Sequence, residues 1–286
     1  MNHVWRLMLI GLALSSARAE EGPARLAREL SAEGDHLGAA VEFRRLALQA
    51  DPASEKGGWF WRAGHAYWQA GEGTLADQML DRAEDADPTL AAPAVLLRGQ
   101  TALDRRDFDA AAFYFESAAR APGADDQQKT FAGRRLAAAR LQQGQVAEAR
   151  EALAGLSVDH AKEQAALEAY AEGRDRSPAL GGWLGLVPGL GYAYAGEYAN
   201  GLRSLILNSL FIWGMVSTAE EEQWGGFAAI AFFEITWYSG SIYGGVDASH
   251  RYNRNRLQRA VEALSAGAIM TPDDEALPAL RLKYTF

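Results

Sequence analysis

The stretch VPGLGYAYAGEYANG, Val187 to Gly201, divides this chain into two parts of different character. It contains four glycines and three tyrosines, and charged residues are rare on both sides of it. Between Ser177 and Asp247 the charged side chains are Glu197, Arg203, Glu220, Glu221, Glu222 and Glu234. Because the flanking parts carry nearly all the charge, the distribution predicts a soluble part joined to a membrane part.

Composition excludes several classes of function. The formal net charge of -9 argues against nucleic-acid binding, which needs clustered Lys and Arg. With no cysteine among 286 residues, disulfides, thiolate chemistry and Cys-based zinc sites are excluded. The histidines lack metal-ligand spacing, and we expect no metal, no cofactor and no enzymatic activity; they include His36, His65, His160 and His250.

The N-terminus, residues 1–19, has the pattern of a signal peptide. Arg6 supplies the positive charge, Leu7–Leu14 is a short apolar core, and Ala17-Arg18-Ala19 fits the small-x-small cleavage rule. Eight apolar residues cannot cross a hydrocarbon layer of about 30 Å, since a helix rises about 1.5 Å per residue. We therefore predict an exported chain starting at Glu20; the alternative is an uncleaved anchor.

Residues 20–175 carry a repeat with a period near 34. Asp51-Pro52 and Asp87-Pro88 lie 36 residues apart, and Ala121-Pro122 follows 34 residues later. Short turns between these landmarks contain Gly34, Gly71 and Gly144, and Arg106-Asp107 occupies the equivalent place in the remaining turn. Paired helices at this period predict a helical solenoid.

These landmarks resemble the tetratricopeptide repeat family. The close-contact positions are Gly64 and Gly99 on first helices, and Ala39, Ala40, Ala76, Ala111 and Ala149 on second helices. Bulky residues between repeats would be Phe43, Phe113 and Phe115. The resemblance implies a non-catalytic scaffold whose concave face binds a protein or peptide. Trp59 and Tyr67 are weak candidates for lining that face; the alternative is that such aromatics are core residues.

Three apolar segments follow, at Ala179–Ala195, Ser204–Ala219 and Gly225–Val246. By length the third could span a bilayer, the second is marginal, and the first is interrupted by Pro188-Gly189. Tryptophans and tyrosines cluster in this region, as at membrane interfaces. We predict membrane insertion; the alternative is a set of buried helices in a soluble domain.

The Gly-rich stretch lacks the Gly-Lys-Ser/Thr ending of a phosphate-binding loop, and its aromatics are atypical of a flexible linker. It resembles the Gly-rich lead-in of small bacterial membrane domains with two transmembrane helices. The matching residues are Pro188, Gly189, Gly191, Tyr194, Gly196 and Gly201. The His-Arg-Phe and Asp-Arg-Phe triplets of the eukaryotic-type version are missing, so its signalling role is not implied. Small-xxx-small steps at Gly181, Gly185 and Gly189, and at Gly240 and Gly244, predict close helix packing.

The charge distribution bears on topology. The loop after the second segment is acidic, whereas Arg251, Arg254, Arg256 and Arg259 follow the third. The positive-inside rule places those arginines in the cytoplasm, which for an exported repeat domain requires three crossings, the first segment included. The alternative is that the first segment only dips into the membrane, so that two crossings leave the C-terminus outside. Glu234 is an intramembrane carboxylate; we predict a hydrogen bond to Asn208 or a tyrosine, the alternative being a proton or ion path.

The sequence thus predicts an all-α fold, a tetratricopeptide-like solenoid followed by a short transmembrane helical domain at 176–250. Residues 251–286 would form a basic amphipathic helix and a tail. The predicted function is an exported, membrane-anchored scaffold for protein–protein interaction in the bacterial cell envelope. The alternative is a channel or transporter accessory using Glu234. The predicted location is the inner membrane with a periplasmic repeat domain. The alternative location is the outer membrane, because the alternating tail LPALRLKYTF resembles the terminal strand of outer-membrane barrel proteins.

Overall fold

The computed structural model describes residues 24–121, 124–265, 268–270 and 276–278 of the chain. Within them it consists of thirteen α-helices, a 3₁₀ turn and two short strands, which confirms the all-α class. The chain divides into two compact units. Unit 1 comprises the described residues up to His160 and from Ser265 onward, and unit 2 comprises Ala161–Leu264. The signal-peptide prediction and most of the alternating tail lie outside the described residues.

Unit 1 is built from helices that pack on their sequence neighbours. The helices are α1 (Arg25–Ala32), α2 (His36–Gln49), α3 (Ala53–Ala70), α4 (Gly73–Ala86), α5 (Ala91–Asp104), α6 (Phe108–Ala119), α7 (Asp126–Gln142) and α8 (Val146–Ala154), with a 3₁₀ turn at Pro88–Leu90. Each helix contacts the one before it, and the alternate helices α3, α5 and α7 also touch. The contacts therefore run along the chain from one helix pair to the next.

The turns within the pairs have a common backbone geometry. Gly34, Gly71 and Gly144 adopt left-handed conformations with φ of 84°, 86° and 78°. Arg106 takes the same region at φ 60°, which confirms that it occupies the equivalent turn position. Such a conformation is costly for a residue with a Cβ. The residue after it, Asp107, accepts a hydrogen bond from the amide of Ala110 at 3.0 Å and so caps α6.

The predicted close-contact positions are confirmed for the glycines. A Cβ on Gly64 would lie 3.1 Å from the Leu80 side chain, and one on Gly99 would lie 2.7 Å from the Phe115 ring. Phe115 is fully buried, whereas Phe113 is 66% exposed, so the prediction that Phe113 packs between repeats is wrong. Residues two apart on a helix do not share a face, and the two rings therefore cannot both point inward.

Two short strands complete unit 1. β1 (Ala268–Met270) and β2 (Ala276–Pro278) are antiparallel, with Ile269 opposite Leu277. β1 lies beside α5 and α7. The strand β1, which follows the end of α13 in the sequence, therefore packs on the neighbouring helices α5 and α7.

Unit 2 begins earlier than the sequence suggested. It contains α9 (Ala161–Glu172), α10 (Pro178–Leu184), α11 (Leu190–Tyr194), α12 (Tyr198–Glu220) and α13 (Trp224–Leu264). The contacts divide the chain at 160/161, because α9 packs on α13, whereas the sequence placed its domain boundary at 175/176. Helices α10, α11 and α12 also pack on α13, which is 41 residues long and joins the third apolar segment to the predicted amphipathic helix without a break.

The first apolar segment does not form a transmembrane helix. It folds as α10 and α11, of seven and five residues, separated by a turn in which Gly189 has φ 85°. At about 1.5 Å per residue neither helix approaches the roughly 30 Å of a hydrocarbon core. The prediction that the first apolar segment spans the membrane as a helix is therefore wrong.

Helix α12 has the length and apolar composition to cross a membrane, the one helix among the described residues that does. The sequence had ranked the segment Gly225–Val246 above it. Two features reverse the order. The second segment extends to 23 helical residues, and the apolar part of α13 is interrupted by Glu234 and by small polar residues such as Ser239 and Ser241.

Candidate functional site: a glycine-packed helical hairpin

Three glycines from three helices meet at one crossing in unit 2. Gly181 of α10, Gly191 of α11 and Gly245 of α13 approach so closely that a Cβ on any of them would overlap the backbone of another. Gly181 and Gly245 are both buried. The Gly-rich stretch is therefore a packing device, since only residues without a side chain permit these backbone distances.

The remaining motif glycines have different roles. A Cβ on Gly189 would overlap the backbone of Gly201, which places the α10–α11 turn against the start of α12. Gly196, at φ 82°, has open space around its Cβ position and serves the turn into α12. The predicted small-xxx-small step on α13 is half correct. Gly244 faces the Tyr192 ring, but a Cβ on Gly240 would meet no atom within 4 Å.

Hydroxyl groups on α13 complete the backbone bonding of the broken segment. The Ser241 Oγ donates to the carbonyl of Gly185 at 3.1 Å and accepts from the amide of Gly189 at 3.3 Å. The Tyr238 hydroxyl donates to the carbonyl of Leu186 at 2.7 Å. These hydroxyls lie at the break between α10 and α11. Without them, the backbone atoms that they contact would lose these hydrogen bonds. No local sequence pattern indicates them, because each bond joins residues more than fifty positions apart.

The residues leading into α10 are bound to α13 beyond its apolar part. The amide of Arg176 donates to Asn253 Oδ1 at 2.7 Å, and Asn253 Nδ2 donates to the carbonyl of Arg176 at 2.9 Å. The Arg176 guanidinium lies about 5 Å from the ring centroids of Tyr194 and Tyr252. The Tyr194 hydroxyl accepts from the amide of Ser177, which gives this motif tyrosine its role.

Arg256 makes a second set of contacts with the same linker. Its guanidinium donates to Asp175 at 2.8 Å and to the carbonyl of Gly173 at 3.1 Å, and it lies over the ring of Tyr170. The chain segment before α10 and the segment after residue 250 are thus held together within unit 2.

An ion pair joins the start of α12 to α13. Arg251 donates from Nε and Nη2 to the two carboxylate oxygens of Glu197, at 2.8 and 2.9 Å. Asn200 Nδ2 donates to the same carboxylate at 2.7 Å. The hydrogen bonds from Arg251 hold the pKa of Glu197 below its ordinary value of 4.5. A lowered carboxyl pKa means that the stabilisation is present above pH 4.5 and is lost as the pH falls through the pKa of the folded state.

We expect Glu197→Gln to lower the stability of unit 2 by about 0.5 to 1 kcal/mol at pH 7, since the pair is partly exposed. The difference from the wild type should shrink toward zero as the pH falls below 4.5. Thermal unfolding of the purified full-length chain in detergent, recorded across this range, measures both quantities. A difference between the two proteins that stays constant with pH would contradict the role of the ion pair.

From α10 to the apolar part of α13, the exposed surface is largely apolar and the buried positions are small or polar. Exposed large side chains include Trp183, Leu205, Ile206, Leu210, Trp213, Val216, Trp224, Phe232, Phe233, Ile235, Trp237 and Tyr243. The buried positions of α12 and of the apolar part of α13 are Gly201, Asn208, Glu234, Ser241 and Gly245. This arrangement is the reverse of a water-soluble domain and is typical of helices that face lipid.

Asn208 and Glu234 are both buried between α12 and α13, at 2% and 6% exposure, but they are not hydrogen-bonded to each other. Asn208 Nδ2 donates to the carbonyl of Ser204 on its own helix at 2.6 Å. Asn208 Oδ1 and both carboxylate oxygens of Glu234 have no hydrogen-bond partner in the described part of the chain. The predicted hydrogen bond from Glu234 to Asn208 or a tyrosine is therefore wrong, since neither carboxylate oxygen has a partner among the described residues.

A cleft of about 300 Å³ opens between α12 and α13 near the start of α12. Its polar lining includes the side chains of Arg203, Ser204 and Asn208 on α12, and its other wall carries Trp237 and Ser241 of α13. The exposed Arg203 makes one hydrogen bond, from Nη1 to Asn200 Oδ1 at 3.4 Å, and no ion pair among the described residues.

Of the two candidate partner-binding residues of unit 1, Tyr67 lies in the core and Trp59 packs against it. Tyr67 is 4% exposed, and Trp59 is partly buried with its ring stacked on Phe43 at a centroid distance of 6.1 Å. These positions favour the alternative that both are core residues. His65 is also buried, stacked on Trp61, and its burial lowers its pKa to about 3.

No family model matches this chain, and a search of the curated proteins also gave no match. The described residues contain no group of three or more His, Cys, Asp or Glu that could hold a metal ion. Function therefore has to be inferred from the geometry of the two units.

Proposed function

We propose that this protein is a non-catalytic, membrane-anchored scaffold of the bacterial cell envelope, in which a tetratricopeptide-like unit 1 binds a protein partner. The observation that carries the proposal is the inverted organisation of unit 2. Large apolar side chains point outward from α12 and the apolar part of α13, and the buried positions are glycine, serine, asparagine and the carboxyl group of Glu234. Lipid is the environment in which such a surface is stable.

The geometry of unit 1 supports the tetratricopeptide-like assignment. Left-handed turn residues recur at Gly34, Gly71, Arg106 and Gly144. The alanines at the close-contact positions of the second helices are fully buried, namely Ala39, Ala40, Ala76, Ala111 and Ala149. Stacked helix pairs of this kind offer an extended surface for a protein or peptide.

The proposed anchor crosses the membrane twice. Among the described helices, α12 alone has the length and composition of a span, and the apolar part of α13, which packs along α12, is proposed to cross back beside it. The segments before α10 and after residue 250 are bound together through Arg176 and Asn253. Two crossings leave them on the same side, whereas three would separate them. The arginines that the positive-inside rule counted include Arg251 and Arg256, which form ion pairs with Glu197 and Asp175. These two arginines therefore have a structural role in unit 2, whereas Arg254 and Arg259 are exposed. In this proposal the repeat domain is exported and all four arginines lie on its side of the membrane.

Ion transport is not part of the proposed function. Neither oxygen of Glu234 is hydrogen-bonded to another side chain in the described part of unit 2, so no relay of polar groups marks a path for protons there.

The partner surface we propose is formed by α5 and α7, against which β1 lies. A partner that binds there has to displace the C-terminal segment. We expect a photoreactive residue at Arg105, exposed at the end of α5, to form a protein adduct in cells. The adduct should increase several-fold when the chain is truncated after Ser265.

The matched control places the same photoreactive residue at Leu48, which is exposed on α2. It should not respond to the truncation. If neither the full-length nor the truncated chain forms an adduct at Arg105, the scaffold function is contradicted.

A further inference from the structure

We infer that the cleft between α12 and α13 binds the head group of an anionic phospholipid that carries hydroxyl donors. This inference rests on the proposed membrane insertion of unit 2. Three observations in the cleft lead to it: an arginine without an acidic partner, a buried amide oxygen without a donor, and an opening onto an apolar surface.

The cation at the mouth is Arg203. The neighbouring Arg251 and Glu197 neutralise each other, and Asn200 gives Arg203 only a neutral acceptor. One positive charge is thus left without a counterion among the described groups of this cleft. A phosphodiester is a suitable partner, because a guanidinium binds phosphate oxygens through a fork of N–H donors.

The amide oxygen is Asn208 Oδ1. Asn208 lines the cleft and is 2% exposed, and its Oδ1 is a buried atom with no hydrogen-bond donor in the described structure. Buried amide oxygens are normally paired. A donor brought in by a ligand, such as a glycerol hydroxyl, would satisfy it, whereas a quaternary ammonium could not.

The depth of the cleft fits a head group. Arg203 is the sixth residue of α12 and Asn208 the eleventh, which places them about 8 and 15 Å along the helix from its start. Leu205, Ile206 and Leu210 are exposed on α12 and Trp237 is exposed on α13, so acyl chains could lie outside the cleft. A volume of about 300 Å³ is at the lower limit for ligand pockets and suits a head group without its chains.

The test is native mass spectrometry of the full-length protein in detergent with three lipids that have identical dioleoyl chains. Phosphatidylglycerol offers a net negative charge and hydroxyl donors, phosphatidylethanolamine offers donors without net charge, and phosphatidylcholine offers neither. We expect phosphatidylglycerol to bind about tenfold more tightly than phosphatidylcholine, with phosphatidylethanolamine between them.

Two variants separate the contributions. Asn208→Leu fills the same interface with an apolar side chain and should abolish the preference for lipids with donors. Arg203→Gln should weaken the binding of phosphatidylglycerol by a few fold, to about the affinity of phosphatidylethanolamine. The control Arg254→Gln changes an exposed arginine of α13 outside the cleft and should leave all three affinities unchanged.

Equal binding of the three lipids would overturn the inference, as would a preference that survives both variants. Equal binding of phosphatidylglycerol and phosphatidylethanolamine would contradict the claim that the cleft prefers an anionic head group. Extraction of membranes with alkaline carbonate distinguishes failure of the proposed anchor from failure of the proposed lipid site. A chain that is extracted contradicts the anchor itself, whereas a retained chain without lipid preference contradicts only the cleft.

Discussion

Replacing Gly245 with alanine should separate α10 and α11 from α13. The added Cβ would overlap the carbonyl of Gly181 and lie 3.0 Å from the Cα of Gly191. Overpacking of this kind typically costs about 1 to 3 kcal/mol. Because backbone atoms are on both sides, no rotamer change can relieve the overlap.

Trypsin cleavage after Arg176 reports the separation. In the native protein the backbone of Arg176 is bound to Asn253 and is protected. A loss of about 1 to 3 kcal/mol should raise cleavage through the open state by about 5- to 150-fold. The matched control is Gly240→Ala on the same helix, where a Cβ meets nothing within 4 Å. It should be neutral or gain up to about 1 kcal/mol of helix propensity. Equal cleavage of the two variants would contradict the packing role of the glycine crossing.

Replacing Phe115 with alanine should strongly destabilise unit 1. Its ring is fully buried, contacts the glycine surface of α5 at Gly99, and lies edge-on to Phe131 of α7 at a centroid distance of 6.4 Å. One side chain of α6 thus joins two further helices. A buried Phe→Ala substitution costs about 3 to 5 kcal/mol, a large part of the stability of a small domain.

Urea unfolding of the purified full-length chain, followed by circular dichroism, measures this loss as a lower midpoint. Phe113→Ala provides the control, since Phe113 is on the same helix, two residues away, and exposed to solvent. That variant should change the free energy of unfolding by no more than about 0.5 kcal/mol. A similar loss in both variants would contradict the assignment of Phe115 to the contact between repeats.

Local features of the fold could be predicted from sequence. The turn position of Arg106 followed from the spacing of Gly34, Gly71 and Gly144, because a repeated backbone geometry leaves a repeated pattern. Gly64 and Gly99 were placed correctly for the same reason. Phe113 was misplaced because the pattern could not distinguish which of two nearby rings points inward.

Long-range contacts could not be predicted. The interrupted first apolar segment has the composition of a transmembrane helix, and its fold as α10 and α11 depends on Ser241 and Tyr238 more than fifty residues away. The tie between Arg176 and Asn253 likewise has no local signature. The prediction of a third crossing needed a spanning helix at the first apolar segment, where the structure has the short helices α10 and α11.

The central claim is a membrane anchor with two crossings. The chain has no cysteine, so single cysteines can be placed at Arg174, Glu221 and Arg254, all of them exposed. Labelling of intact cells with a membrane-impermeant maleimide then reports the side of each position. We predict that positions 174 and 254 label alike and that position 221 shows the opposite result. Opposite labelling of 174 and 254 would mean an odd number of crossings, and identical labelling of all three would mean that α12 does not cross.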